Sequence, residues 1–126
     1  MSQASNESRE DYIESILILK RRKGAVRSID IANYFGYSRP SVSRAVGILK
    51  KDGLIYVDAN GYIELTVEGL ILAESVYDRH RTLSEFLDRI GVSADTAEKD
   101  ACRIEHVVSQ ESMDRISEWI SGENEQ

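Results

Sequence analysis

Leu54-Ile55-Tyr56-Val57-Asp58-Ala59-Asn60-Gly61-Tyr62-Ile63-Glu64-Leu65 is the stretch that decides the fold. Two runs of apolar, β-branched and aromatic residues, 54–57 and 62–65, flank a turn containing Asn60-Gly61. That pair tolerates the left-handed backbone a hairpin turn demands, so the segment reads as a β-hairpin. Upstream, Tyr12, Ile16 and Leu19 recur at helical spacing, which predicts a helix from about Arg9 to Lys23, ended by Gly24. Ser28 is expected to cap a short second helix carrying Ile29, Ala32 and Phe35 and stopped by Gly36. Ser38 or Arg39, followed by Pro40, opens a third helix through Val42, Val46 and Leu49 to Gly53. A short helix, a glycine-containing turn, a second helix and a hairpin together make a winged helix-turn-helix, with Ala32, Gly36 and Val42 as packing, turn and core residues.

Downstream, Thr66 is a suitable cap for a long helix reaching about Ile90, with the stripe Leu70, Ala73, Val76, Tyr77, Leu83, Phe86 and Leu87. Gly91 ends it. Ser93 then caps a helix predicted from Ala94 to Ser109, and a last helix, about Glu111 to Ile120, carries Met113, Ile116, Trp119 and Ile120. The expected fold class is mainly α with a small β-hairpin. Residues 1–66 form the winged helix-turn-helix domain and residues 67–126 a helical domain, with the polar start, Met1 to Ser8, frayed. Three helices leave an apolar face uncovered, so the helical domain is expected to pair in a homodimer.

The 126 residues carry a net charge of −6, which on its face argues against a nucleic-acid partner. The distribution reverses that. Lys20 to Lys51 holds nine basic residues against Asp30 alone, a local excess of eight positive charges on an otherwise acidic chain. Such a patch is an electrostatic footprint for phosphate. A lone cysteine excludes a disulfide framework, and runs such as Ile16-Leu17-Ile18-Leu19 are far too short for a membrane span. The expectation is a cytoplasmic protein with no membrane partner.

The third helix opens Ser38-Arg39-Pro40-Ser41-Val42-Ser43-Arg44. With Val42 turned inward, Pro40, Ser41, Ser43 and Arg44 are available to a major groove. Arg44 suits guanine O6 and N7, Ser41 and Ser43 suit base or phosphate, and Pro40 suits a thymine methyl. Ser38 opens this helix, Arg39, Lys50 and Lys51 read as phosphate anchors, and Asn60 at the hairpin tip as part of a wing.

The second candidate site is Cys102-Arg103-Ile104-Glu105-His106. On a helix, Cys102, Glu105 and His106 stand at i, i+3 and i+4, so thiol, carboxylate and imidazole share a face while Ala101, Ile104 and Val108 pack on the other. His80 lies in register with Val76, Leu83 and Leu87, pointing inward. Asp11 and Glu14 form an i, i+3 acidic pair in the first helix. Each has a plain explanation alone: a hydrogen-bonded core histidine, an inert thiol, acids favoured at a helix start. Together, Asp11, Glu14, His80, Cys102, Glu105 and His106 form a six-donor set for a divalent transition metal.

Asp11-Tyr12-Ile13-Glu14, Ser38 to Arg44, Arg79-His80 and Cys102-Arg-Ile-Glu-His106-Val-Val-Ser109 resemble the diphtheria-toxin-repressor family of metal-dependent regulators, in its short manganese-transport-regulator form. The similarity runs from about Glu10 to Ile120. The resemblance implies a homodimer that binds Mn²⁺ or Fe²⁺ between its two domains and, metal-loaded, represses metal-uptake genes at a double-stranded operator, an inverted repeat. Against the family pattern the ligand set is a hybrid: Asp11 is the manganese-branch residue, and Cys102 the iron-branch residue. Ser84 and Glu98 stand where the iron branch's ancillary site has Glu and His. Thiolate is softer than carboxylate, which tilts the expected cofactor slightly toward Fe²⁺ over Mn²⁺.

An enzyme is the competing class. A Cys/Glu/His cluster could activate water, but there is no H-E-x-x-H, no glycine-rich phosphate loop and no G-x-S-x-G. No catalytic residues and no small-molecule substrate are expected. The remaining rival is a metal-independent winged-helix factor answering another ligand or partner.

Overall fold

A computed structural model describes residues 3–125, with side chains for residues 8–122. Its elements run α1 (Gln3–Lys23), α2 (Ser28–Phe35), α3 (Arg39–Lys51), β1 (Ile55–Val57), β2 (Ile63–Leu65), α4 (Val67–Arg89), α5 (Ala94–Ile104) and α6 (Gln110–Glu125). The chain divides into two compact units, Met1–Glu74 and Ser75–Gln126, so α4 contributes residues to both. None of its helices, among the described residues, is long and apolar enough to cross a membrane.

In the first unit, Ile13 and Ile16 of α1, Ile31 of α2, Val42 and Leu49 of α3 and Ile63 of β2 are almost wholly removed from water. These are the inward positions of the periodic stripes, and α1, α2 and α3 pack on one another around them. Between α2 and α3, Gly36 takes φ 73° and its N–H donates to the Ala32 carbonyl, so the left-handed turn falls on the residue that tolerates it. Ser38 caps α3: its Oγ accepts from the Ser41 N–H at 3.3 Å, and Pro40 occupies the first turn, where its missing N–H costs nothing.

The strands pair antiparallel, with Ile55 opposite Leu65 and Val57 opposite Ile63. They are each one residue shorter than the runs 54–57 and 62–65: the Leu54 N–H donates to the Leu49 carbonyl, and Asp58 organises the connection that takes in Tyr62. The Asp58 Oδ1 accepts from the N–H groups of Asn60 and Tyr62, both at 2.9 Å, while Gly61 takes φ 84°. The wing is anchored on both sides: the Ile63 N–H donates to the Val26 carbonyl and the Thr66 N–H to the Leu54 carbonyl. Thr66 also caps α4, accepting from the Gly69 N–H at 3.0 Å. A Cβ on Gly69 would lie 1.8 Å from the Leu54 carbonyl oxygen, so only glycine lets the first turn of α4 rest on the wing.

The second unit is held by a smaller core. Leu83, Ala101 and Met113 are buried, with Ile104, Val108 and Ile116 against them, and Phe86 meets Trp119 edge to face at 5.4 Å.

Four boundaries differ from expectation. Helix α1 begins at Gln3 rather than near Arg9, because residues 3–8, mostly polar, contain no glycine or proline to stop a helix; the fraying expected of Met1 and Ser2 lies outside the described residues. Arg27, not Ser28, caps α2: the Asp30 carboxylate reaches back to the Arg27 N–H at 2.8 Å. Helix α5 ends at Ile104, not Ser109. Ser109 instead caps α6, its Oγ accepting from the Ser112 N–H at 3.1 Å, and α6 extends to Glu125.

Candidate metal centre and nucleic-acid interface

The early end of α5 has a cause. Arg79 of α4 donates from Nε to the Glu105 carbonyl at 2.7 Å and from a terminal nitrogen to the Val108 carbonyl. Both carbonyls lie at or beyond the helix end, Glu105 at its C-cap and Val108 in the turn before α6, so the guanidinium supplies partners to backbone that has left the helix. The chain can therefore leave α5 in a tight turn holding Glu105 and His106 just beyond its last residue.

That turn brings four of the six candidate ligands together within the second unit. The Glu105 carboxylate is fully buried, and the His106 and His80 side chains are 2% and 12% exposed. Glu105 Oε1 lies 3.3 Å from His80 Nδ1 and 4.0 Å from His106 Nε2. Cys102, at the exposed edge, has a donor atom within 4.8 Å of one of Glu105. The remaining two, Asp11 and Glu14, lie one turn apart on α1 of the first unit, Glu14 buried and Asp11 partly so.

The electrostatics of the cluster turn on His80. Its Nδ1 faces Glu105 and its Nε2 meets Glu98 Oε1 at 2.8 Å. The hydrogen bond to Glu105, then the charges of Glu105 and Glu98, raise its pKa to about 9 against the opposing effect of burial. At neutral pH and without metal the ring is an imidazolium held between two carboxylates. One thiol, one buried carboxylate and two imidazoles make a mixed sulfur, oxygen and nitrogen set. It fits a divalent first-row transition metal and not Ca²⁺ or Mg²⁺, which favour all-oxygen surroundings.

In the first unit, Arg39, Pro40, Ser43 and Arg44 stand exposed along the outer face of α3, Lys50 and Lys51 at its end, and Asn60 at the wing tip. Ser38 Oγ also donates to Ser41 Oγ at 2.9 Å, so these two hydroxyls order each other at the helix start. The basic stretch is not uniform. Lys20 pairs with Glu64, Arg21 with Glu74 and Lys23 with Asp30, so those three cations serve the fold. The Asp30 carboxyl is held below its ordinary pKa by the Lys23 hydrogen bond and then by the Arg27 N–H.

Sequence reasoning missed several neighbours of these sites. An open groove of about 380 Å³ beside α3 is lined by Ser8, Tyr12, Tyr37, Ser38, Ser41, Arg44, Ala45 and Ile48. The Arg27 guanidinium lies 4.4 Å over the Tyr62 ring, joining α2 to the wing by a cation–π contact. No local spacing signals these pairs. Glu98 was legible: with Cys102 and Glu105 it falls at i, i+4 and i+7, on the donor face of α5.

The family described as "Iron dependent repressor, N-terminal DNA binding domain" matches residues 6–64, and "Iron dependent repressor, metal binding and dimerisation domain" matches residues 66–122. The chain is 38% identical over 105 residues to "Transcriptional regulator MntR" of Escherichia coli O6:H1, covering 83% of this chain and 68% of that protein. It is 36% identical over 113 residues to "HTH-type transcriptional regulator MntR" of Lysinibacillus sphaericus, covering 90% and 81%. Among solved structures it is similar to the manganese regulator SloR (TM-score 0.80, 32% identity, 90% of this chain) and to IdeR of T. acidophilum (TM-score 0.80, 28% identity, 89% of this chain). The chain spans about half of each of those two structures, 53% in both cases.

Proposed function

From the premise that the chain belongs to the iron-dependent repressor family, we propose that it is a cytoplasmic, homodimeric, metal-dependent repressor that holds an inverted-repeat operator of metal-uptake genes. It acts as a regulator and not as an enzyme, in keeping with its regulator relatives. The observation that carries the reading is the Glu105 carboxylate, buried with His80 and His106 around it and Cys102 at the edge, in a chain whose α3 presents four exposed cations.

The functional division follows residues 1–66 as reader and 67–126 as metal-binding and dimerising scaffold. His80, Cys102, Glu105 and His106 supply donors from the scaffold, and Asp11 and Glu14 supply two carboxylates from the reader. When bound, the metal would supply the positive charge among these carboxylates that the His80 proton otherwise supplies. Arg79 keeps the Glu105–His106 turn in place. To serve as a ligand His80 would have to give up its proton, which would make loading pH-dependent. Sharing ligands between reader and scaffold ties the orientation of each α3 to the dimer, and specific DNA selects a fixed half-site spacing of roughly 34 Å or a multiple of it. Ser38, Pro40, Ser41, Ser43 and Arg44 read or border the groove, and Arg39, Lys50, Lys51 and Asn60 hold backbone. The Cys102 thiolate favours Fe²⁺ slightly over Mn²⁺.

The test is an anaerobic fluorescence-anisotropy titration of operator DNA under Fe²⁺, Mn²⁺, Zn²⁺ and EDTA, since Fe²⁺ and the thiol both oxidise. The expected result is tight binding with Fe²⁺ or Mn²⁺ and its loss in EDTA. Equal affinity in EDTA would overturn metal dependence and leave a winged-helix factor answering something else.

A further inference from the structure

An imidazole ligates through one ring nitrogen while the other carries a proton, and whatever accepts that proton decides which nitrogen faces the metal. In the second unit this choice is built by a residue outside the six-donor set. Glu98 sits on α5, a turn before Cys102, and its Oε1 lies 2.8 Å from His80 Nε2. The opposite nitrogen, Nδ1, is directed at Oε1 of the buried Glu105, 3.3 Å away. An ionised carboxylate only accepts hydrogen bonds, so both edges of the ring face an acceptor, the Glu98 contact being the shorter; once a metal occupies the Glu105 side, Nε2 is the nitrogen left to carry the proton, and Glu98 accepts it. The His80 side chain is 12% exposed and its ring is fixed from both edges, whereas Glu98 is 66% exposed and reaches the ring from the solvent side. Glu98 belongs to no group of three converging metal donors among the described residues. The geometry places it behind a ligand rather than in a ligand's position.

Building on the metal-centre reading above, we propose that Glu98 is a positioning residue for His80, holding Nε2–H so that Nδ1 is the nitrogen offered to the metal. Partners of this kind change metal affinity by about 10–100-fold, and the exposure of Glu98 places it at the lower end, at about 10-fold.

The chain has two histidines, His80 and His106, so ¹⁵N-histidine labelling gives a spectrum of two imidazoles, assigned with a His80→Asn variant. The probe is ¹¹³Cd²⁺ added to the whole chain, with affinity from calorimetry. The expected result is ¹¹³Cd coupling to His80 Nδ1, with a proton on Nε2. Glu98→Ala is expected to weaken Cd²⁺ binding about 10-fold and to spread His80 between its two tautomers, with His106 shifts and helix content unchanged. Glu98→Gln, which keeps an acceptor oxygen, restores the Nδ1 form. Coupling to His80 Nε2, coupling at His106 alone, or a Glu98→Ala variant with unaltered affinity and tautomer each overturns this inference and leaves the metal centre standing. Absence of coupling at both histidines overturns the metal-centre reading itself, and this inference with it.

Discussion

The two units place their candidate functional charges in opposite surroundings. In the first, Arg39, Arg44, Lys50 and Lys51 stand in water; in the second, Glu105, His80 and His106 are almost entirely withdrawn from it. An exposed cation keeps its hydration, interacts over roughly a 10 Å screening length at 0.1 M salt, and loses little when alone. Such charges act by number, which suits a polyanion. A buried carboxylate is costly without a compensating positive charge. His80, whose pKa is raised by Glu105 and Glu98, offers that charge when protonated. Salt therefore grades the first unit's response, and protons and metal grade the second's.

The largest effect is expected where the buried charge is removed outright. Glu105→Ala deletes the carboxylate that both imidazoles face. Losing a donor should exceed the roughly 10–100-fold cost of losing a ligand's supporting partner, so Mn²⁺ or Fe²⁺ affinity should fall by more than about 100-fold, with metal-dependent operator binding lost. Calorimetry and anisotropy check this, and a surviving metal response would break the contrast between the units. Next in size is pH. Because His80 titrates near 9 in the fold against an ordinary 6.5, the fold binds its proton more tightly than the unfolded chain. That stabilisation is fully present below pH 6.5 and lost as pH rises through about 9. The single tryptophan, Trp119, lies in the second unit beside Phe86 and reports its urea unfolding. In EDTA its midpoint should fall between pH 6.5 and 9, and His80→Gln should flatten the curve. A wild-type midpoint independent of pH would mean the proton is not the stand-in cation.

The same contrast governs what the sequence disclosed. Exposed, local features were legible: the Gly36 turn, the Ser38 cap with Pro40, the Gly61 hairpin and the Thr66 cap each act within a few residues, so spacing and residue type suffice. The donor set was visible as a pattern because Cys102 and Glu105 lie three apart on one face. The end of α5 was not legible. It depends on Arg79, 26 residues before Glu105 in the chain, and no helical period connects positions so far apart. The assignment of Lys20 and Arg21 to ion pairs is of the same kind, since Glu64 and Glu74 lie 44 and 53 residues beyond them. Net charge counts a cation that folding has already paired.

The smaller effects fall in the first unit and separate its exposed cations from one another. Arg44→Ala should weaken specific binding by about 1–3 kcal/mol and relax preference at one base position, with metal affinity unchanged. An intact operator preference would move base reading elsewhere on α3. Lys50 makes the finest test. It stands exposed at the end of α3, away from the helix start that meets base edges in this motif, so Lys50→Ala should lower affinity about equally for operator and unrelated duplex. The slope of log affinity against log salt should shrink by about one. A change in sequence preference instead would mean that the end of α3 reads bases. The division between cations that hold and cations that read would then fall somewhere other than between Lys50 and Arg44.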